Sequence, residues 1–215
     1  MNAVMITGAS RGIGKALAEE FKLHGYNVIK YERRLLGDIR DPKTVIKLRD
    51  LGKKNNINIL INCAGVYSEK ELSFISLEKL KEVIEVNLIG PMLLTQSLWE
   101  HLISVGGTVI NINSVAGRVP NMKEIAYRTS KIGLAGFSAC LSYEGALHGV
   151  RILDIPLGGV NTDMLKYLRA PLTRDDQQPE EAAKLIFQIF NSQDTKEIEH
   201  FLLNGKIIDN IGMIQ

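Results

Sequence analysis

Three polar side chains in the middle of the chain are spaced for moving a proton to or from an oxygen atom. Tyr127 and Lys131 stand four positions apart, so a helix places them on nearly the same face. A tyrosine acts as a base at neutral pH only when its pKa falls from about 10 toward about 7, which takes roughly 4 kcal/mol of phenolate stabilisation. A nearby fixed ammonium supplies much of it. Ser114, thirteen positions before Tyr127, can hold a substrate oxygen beside the phenol, and the set indicates carbonyl–alcohol chemistry.

The start of the chain favours this interpretation over an ordinary solvated Tyr–Lys pair. Residues 3–7 are an apolar run typical of a strand, and residues 8–14 (GASRGIG) follow directly. Apolar Ile13, Leu17 and Phe21 then predict a helix. Strand, glycine-rich turn and helix in this order are the setting in which glycines and a helix N-terminus bind a pyrophosphate. The pattern predicts a dinucleotide site, with a purely structural turn as the alternative.

Composition limits the classes of protein to consider. With 215 residues, 45% hydrophobic and 23% charged, the chain has the make-up of one globular domain. The net charge of +2 is too small to argue for nucleic acid or an anionic membrane surface. No apolar run approaches the roughly 18 residues of a membrane span, and a secretory signal is not expected. Cys63 and Cys140 lack metal-ligand spacing and are expected to be buried, reduced thiols, so we predict a cytoplasmic protein without a metal.

Strands and helices alternate along the rest of the chain. Apolar runs suited to strands buried on both faces of a parallel sheet occur at 26–31, 57–61, 107–112 and 150–155, with a candidate last strand at 198–203. Helical patterns fall between them at 42–53, 77–104, 125–148 and 179–191. This alternation predicts an α/β doubly wound sheet without a domain boundary. Ligands bind such sheets at the carboxyl ends of the strands, which here carry Gly8, residues 62–65, Ser114 and Gly158.

Several motifs together resemble one protein family. TGASRGIG at 7–14, NCAG at 62–65, Asn87, Ser114 and YRTSK at 127–131 match the short-chain dehydrogenase/reductase family in order and spacing. The resemblance covers essentially the whole chain and includes GGVNTDM at 158–164. It implies a single Rossmann-type domain over 1–215 with a parallel sheet of about seven strands. It also implies an oxidoreductase that interconverts a ketone and a secondary alcohol with NAD(H) or NADP(H).

The resemblance assigns roles to the matching positions. Tyr127 is the acid/base, Lys131 lowers its pKa and holds the nicotinamide ribose, Ser114 orients the carbonyl, and Asn87 holds a water that relays protons. The other cofactor contacts that it implies are Gly8, Ser10, Arg11, Gly12, Ile13, Gly14, Glu32, Arg33, Asp38, Ile39, Asn62, Ala64, Gly65, Val160 and Thr162.

The choice between NAD and NADP depends on the end of the second strand. Glu32 occupies the position at which an acid binds the ribose hydroxyls of NAD, but Arg33 and Arg34 follow it and Arg11 lies in the glycine-rich turn. Three arginines against one glutamate favour NADP(H), with Arg33 and Arg34 as solvated loop charges being the alternative. The connection to Asp38 is unusually short for the family.

The substrate side carries fewer signals. Leu157 stands where relatives usually have a proline, which affects the nicotinamide pocket. A short substrate lid is expected near 163–179, in which Met164, Leu165, Tyr167 and Leu168 line an apolar pocket or pack onto the core. Arg118 and Arg128 are more plausible as salt-bridge partners than as contacts to an anionic substrate.

Apolar positions on more than one side of the helices near 88–104 and 125–148 predict a homodimer or homotetramer. Two other functions stay open. One is a non-catalytic dinucleotide-binding or sensing protein, and the other is a pteridine-type reductase that does not need Ser114. Substituting Ser114 by alanine separates the last case, because its turnover would be undiminished.

Overall fold

The computed structural model describes residues 2–117, 122–166 and 177–192, and the backbone of 200–203 and 206–209. The strands form one sheet in the order β2-β1-β3-β4-β5-β6-β7. Their bounds are β1 Ala3–Thr7, β2 Asn27–Tyr31, β3 Ile59–Asn62, β4 Thr108–Ser114, β5 Arg151–Leu157, β6 His200–Leu203 and β7 Lys206–Asp209. Neighbours are parallel from β2 through to β6, and β7 is antiparallel to β6. The predicted α/β doubly wound, Rossmann-type sheet is confirmed.

Helices cover both faces of this sheet. Their bounds are α1 Gly12–Leu23, α2 Arg33–Leu36, α3 Pro42–Lys54, α4 Leu77–Ile84, α5 Gly90–Ser104, α6 Ile125–His148, α7 Asp163–Lys166 and α8 Pro179–Asn191. On one face, α1 and α8 pack on the alternate strand residues that include Ile6 and Ile61. On the other, α3 and α5 pack on the set that includes Met5 and Leu60. The central strands are therefore buried on both sides, which explains their continuous hydrophobicity.

Local residue choices set the helix ends. The Asp41 side chain accepts a hydrogen bond from the Lys43 N–H, and Pro42 stands in the first turn of α3. Ser76 caps α4 in the same way through the Lys79 N–H. Gly149 ends α6 with a φ of 71°, a left-handed conformation that favours glycine. These ends hold the loops between strand and helix, and those loops carry the site.

The structure departs from the predictions in three secondary-structure elements and in the exposure of the cysteines. The helix expected over 77–104 is interrupted by a π-helical turn at Glu85–Ile89, the short connection after β2 contains α2, and β7 was not predicted. Cys140 was expected to be buried but is exposed, because only one face of the long helix α6 packs on the sheet; Cys63 is partly buried. None of the described helices is long and apolar enough to cross a bilayer.

Candidate active site

A cleft of about 470 Å³ opens where β1, β3, β4 and β5 end. Most of the residues predicted for the site line it: Gly8, Ser10, Arg11, Gly12, Ile13, Gly14, Arg33, Asp38, Ile39, Ala64, Gly65, Ser114, Tyr127, Lys131, Val160 and Thr162. Glu32, Asn62 and Asn87 are the predicted residues that do not line it. The carboxyl ends of the strands thus bring the glycine-rich turn and the Tyr–Lys pair into one cleft.

The glycine-rich turn has the shape of a phosphate cradle. Gly8 and Gly12 have φ values of 69° and 54°, in the left-handed region. A Cβ on Gly8 would lie 2.8 Å from the Cα of Ala64, so the backbone approach requires glycine there. The side chain of Arg11 does not cap α1, whose first turn has no acidic residue and lines the cleft. Backbone N–H groups and the positive end of the helix dipole therefore face the cleft, which fits the pyrophosphate of a dinucleotide.

Tyr127 and Lys131 lie on the first turns of α6 and both face the cleft. The Lys131 Nζ atom donates to the Ile112 carbonyl at 2.9 Å and lies 5.9 Å from the centre of the Tyr127 ring. Burial lowers the pKa of Lys131 to about 8, opposed by Cys63 and Asp154. Burial also raises the pKa of Tyr127, and a hydrogen bond with Ser114 offsets part of that rise. This direction is opposite to the acidified phenol predicted from the sequence, because desolvation and the charge of Glu124 outweigh the hydrogen bond with Ser114 and the charge of Arg128 in their effect on the Tyr127 pKa.

Ser114 is fixed at the end of β4 by its own backbone and its neighbours. Its N–H donates to the Asn113 Oδ1 atom at 2.9 Å, and its hydroxyl accepts from the Ala116 N–H at 3.1 Å. The hydroxyl accordingly has a defined direction when it meets the Tyr127 phenol. Two hydroxyl groups that converge in this way can bind a single oxygen atom of a third molecule.

Asn87 lies in the π-helical turn between α4 and α5 and is fully buried. Its amide group donates to the Val66 carbonyl at 2.9 Å and to the Ser130 hydroxyl at 3.1 Å. Its Oδ1 atom accepts from the Val66 N–H at 2.8 Å. The side chain thus ties the loop after β3 to α6, and both of its N–H donors are used in doing so. π-helical turns occur frequently at functional sites.

Asn62 and Glu32 lie away from the cleft for separate reasons. The Asn62 amide donates to the Thr95 hydroxyl and the Asn111 Oδ1 atom inside the core, at 3.2 and 2.8 Å. Glu32 stands at the beginning of α2, where its carbonyl accepts from the N–H groups of residues 35 and 36. Because the connection after β2 is so short, it is Arg33, and not Glu32, that lines the cleft.

The end of the cleft beside β2 is built from an ion-pair cluster. Asp38 contacts Arg33 at 2.7 Å and Arg40 at 2.8 Å, and the hydrogen bond from Arg40 holds the pKa of Asp38 at about 2. The Tyr31 hydroxyl donates to the Gly37 carbonyl at 2.7 Å and closes the short connection. Asp38 is therefore a stable anion whose two neighbours are cations, and sequence reasoning missed Tyr31 because no motif marks it.

Tyr67 and Glu124, which lie beside Tyr127, were also not predicted as site residues. The Tyr67 ring meets the Tyr127 ring edge to face at 4.9 Å, and its hydroxyl donates to Glu124 at 2.6 Å. Glu124 also accepts from Arg128 at 2.5 Å. Arg128 thus forms a salt bridge, the more plausible of the two roles considered for it. The one signal for this contact in the sequence is that Glu124 stands one helical turn before Tyr127, which places its carboxylate near the phenol.

The segment expected to form a substrate lid, 163–179, lies only partly within the described part of the chain. Met164 and Leu165 line the cleft at the start of α7, beside residues 157–160. Tyr167, Leu168 and Arg118 lie outside the described residues, so the roles considered for them stay predictions. The strand β5 runs through Pro156 to Leu157, and Leu157 itself lines the cleft.

Comparisons with known proteins agree with this geometry. A family model for short chain dehydrogenases matches residues 35–173. The chain is 31% identical to Protein FixR of Bradyrhizobium diazoefficiens, over 86% of this chain and 78% of that protein. It is 30% identical to the 3-oxoacyl-(acyl-carrier-protein) reductase FabG of Aquifex aeolicus, over 85% of this chain and 87% of that protein.

Solved structures share the same fold. An alcohol dehydrogenase of the archaeon Thermococcus sibiricus, complexed with 5-hydroxy-NADP, superposes with a TM-score of 0.83 at 21% identity, covering 95% of this chain and 97% of that one. A short-chain dehydrogenase of Streptomyces avermitilis gives 0.83 at 23% identity, over 94% and 87%. With the family model, the relatives and the cleft in agreement, this chain belongs to the short-chain dehydrogenase/reductase family of oxidoreductases.

Proposed function

We propose that this protein reduces a ketone to a secondary alcohol with NADPH. The observation that carries the proposal is the convergence of the Ser114 and Tyr127 hydroxyls in the same cleft as the glycine-rich turn. The bound cofactor supplies the hydride for the carbonyl carbon. The names of the relatives support the substrate class, since they include 3-oxoacyl-(acyl-carrier-protein) reductases and a carbonyl reductase family member.

The protonation state of Tyr127 favours the reductive direction. A phenol whose pKa is raised by burial is protonated at neutral pH, so Tyr127 is ready to give a proton to the oxygen of a carbonyl as it becomes an alcohol. Ser114 holds that oxygen by a hydrogen bond. The proton leaves the Tyr127 hydroxyl and the resulting phenolate is stabilised by the Lys131 ammonium nearby.

Lys131 also binds the nicotinamide ribose in this proposal. It is buried on α6 beside the cleft, where its ammonium can donate to the hydroxyls of the nicotinamide ribose. The backbone of Asn87 would hold the water that returns a proton to Tyr127, since the Asn87 side chain is used by Val66 and Ser130. Val160 and Thr162 line the cleft on the side proposed for the nicotinamide ring.

The direct test is a panel of ketones supplied with NADPH, followed by the loss of absorbance at about 340 nm from the reduced ring. Turnover of neutral or acyl-chain ketones is the expected result. Binding of NADPH without turnover of any carbonyl compound would favour the sensing protein instead. Absence of both binding and turnover would contradict the proposal altogether.

The preference for NADPH is proposed from the end of the cleft beside β2, where we place the adenosine of the cofactor. Arg33 lines the cleft and is exposed, and Arg11 of the glycine-rich turn also lines it, paired with Asp163 at 3.8 Å. Each can meet a 2′-phosphate, whereas Glu32 does not line the cleft and cannot repel that phosphate from within it. Asp38, already paired with Arg33 and Arg40, is screened by its own cations.

Substituting Arg33 by alanine is expected to weaken NADPH binding roughly tenfold while NADH binding changes little, because the lost contact is to a phosphate that NADH lacks. Titration of cofactor fluorescence measures both dissociation constants. The matched control is Arg34→Ala, which removes an exposed arginine of the same helix that does not line the cleft. Equal losses for both cofactors, or a wild-type preference for NADH, would contradict the NADPH assignment.

Self-association is proposed through the helices named from the sequence. Exposed apolar side chains occur on them at Ile89, Met92, Ile132, Tyr143 and Leu147. A surface with that many large apolar groups is typical of an interface. We expect sedimentation to show a dimer or tetramer, and replacing Ile132 by aspartate is expected to dissociate it. A purely monomeric wild-type protein at micromolar concentration would contradict this.

A single domain over 1–215 and a cytoplasmic location stay predictions.

A further inference from the structure

A chain of polar side chains crosses the core beneath the cleft. The Asn62 amide donates to Asn111 and the Asn111 amide donates to the Ser138 hydroxyl, both at 2.8 Å. The Ser138 hydroxyl lies 3.1 Å from the Asp154 Oδ1 atom. We call these residues, together with Asn113, the polar ladder. It joins β3, β4, β5 and α6 in a region that is otherwise apolar, where polar groups are costly to bury unless they are paired.

The ladder ends at Ser114. The Asn113 amide donates to both carboxylate oxygens of Asp154, each at 3.0 Å. This fixes the orientation of the amide, so the Asn113 Oδ1 atom points to the Ser114 N–H, which it accepts at 2.9 Å. The carboxylate of Asp154 therefore holds the backbone of Ser114 through one intervening side chain.

Asp154 also acts on Lys131. Among the described residues, the groups that act on the charge of Lys131 are Cys63 after β3 and Asp154 on β5, and the Tyr127 ring centre lies 5.9 Å from the Lys131 Nζ atom. Burial lowers the pKa of Lys131, and the negative charge of Asp154 opposes that fall. Asp154 does not line the cleft, so it acts on the site from behind.

We propose that Asp154 is a positioning residue, which orients Ser114 through Asn113 and whose charge also acts on Lys131 from behind the cleft. This inference rests on the proposed reductase function. A purely structural role would not need a carboxylate, because an asparagine has the same shape and can still accept one of the two hydrogen bonds from Asn113. The difference between the two explanations is the charge.

Three variants separate the two actions of Asp154. Asp154→Asn removes the charge and keeps the shape, and Asn113→Ala removes the link to Ser114 and keeps the charge. Ser138→Ala removes the hydrogen bond to Asp154 and the acceptor of the Asn111 amide, but touches neither action. Each is measured for the pH dependence of the NADPH dissociation constant, and for kcat and KM with the best ketone of the panel.

With Asp154→Asn, the pH at which NADPH affinity declines is expected to fall by about one unit, because Lys131 loses an opposite charge. With Asn113→Ala, kcat is expected to fall roughly tenfold, because the hydrogen bond that holds Ser114 is lost, while the pH dependence of NADPH affinity is expected to stay unmoved, because the charge of Asp154 is kept. Ser138→Ala is expected to match the wild type in both. Restoring the carboxylate as Asp154→Glu should recover the wild-type pH dependence in part.

An Asp154→Asn protein that binds NADPH with the wild-type pH dependence overturns the inference, whatever its kcat. If that variant does not fold, an undiminished kcat for Asn113→Ala overturns it as well. These failures are distinct from failure of the proposed function, in which the wild-type protein itself would neither bind NADPH nor turn over a ketone.

Discussion

Replacing Tyr127 by phenylalanine is expected to lower turnover by roughly 10²- to 10⁴-fold, the usual contribution of a positioned general acid. The change removes the hydroxyl that meets Ser114 and leaves the ring that packs against Tyr67. Nothing in the glycine-rich turn is altered, so the affinity for NADPH should stay close to that of the wild type. Single-turnover rates at saturating NADPH and the dissociation constant from fluorescence titration measure the two quantities separately.

The matched control for this substitution is Tyr143→Phe. Tyr143 lies on the same helix, is 70% exposed and takes no part in the cleft. Its hydroxyl should be dispensable, and the control therefore measures any general effect of losing a tyrosine from α6. Retention of wild-type turnover by the Tyr127 variant would remove the phenol as the proton donor and leave Ser114 as the nearest alternative.

Replacing Lys131 by methionine is expected to have two opposite effects. Cofactor binding and turnover should both fall steeply, because the ammonium proposed to hold the ribose and the phenolate is lost. The cofactor-free protein should nevertheless become more stable. A lysine whose pKa falls from 10.5 to about 8 on folding costs roughly 3 kcal/mol of folding free energy at neutral pH. The substitution removes this cost but also removes the hydrogen bond to the Ile112 carbonyl, which makes the expected gain in stability smaller by about 1 kcal/mol.

The size of this gain in stability depends on pH in a way that tests its cause. Below about pH 8 the lysine is charged in both states and the full cost of burying the charge is present. Between about 8 and 10.5 the folded protein releases the proton before the unfolded chain does, so wild-type stability rises relative to the variant. The advantage of Lys131→Met in melting temperature, about 5 °C at neutral pH, should therefore vanish in alkali.

Lys47→Met is the control for the Lys131 substitution. Lys47 is an exposed lysine in the middle of α3, so its replacement makes the same chemical change on a solvated helix face. A similar gain in stability for both variants would mean that methionine helps for reasons unrelated to the buried charge. A Lys131 variant with wild-type NADPH affinity would contradict the ribose contact.

Much of the framework follows from patterns in the sequence. The strands are continuous apolar runs because both faces of the sheet are covered, and the predicted bounds of β1, β2, β4 and β5 lie within about two residues of the observed ones. The glycine-rich turn could be predicted for an equally direct reason. At Gly8 a side chain would collide with the backbone of Ala64, so the residue type itself reports the close approach.

Other parts of the site have no such local signal. The sequence predicted a phenol acidified by Lys131, but pKa values depend on burial, and burial is a property of the packed fold. The pairing of Asp154 with Asn113 joins neighbouring strands whose residues are far apart in the chain. Asn62 and Glu32 were placed in the cleft by motif, yet their side chains follow the core network and the shortened connection after β2.

The π-helical turn at Glu85–Ile89 sets the angular phase between two helices. An α-helix advances about 100° per residue, so one additional residue in a turn rotates everything that follows by that angle. Through this offset α4 can pack on α6 while the stripe of Leu94, Leu98 and Leu102 on α5 faces the sheet. Deleting one residue here would give a more regular rod and swing that stripe away from the core. Length in this segment is consequently as constrained as residue type, even where the side chain removed is solvent-facing.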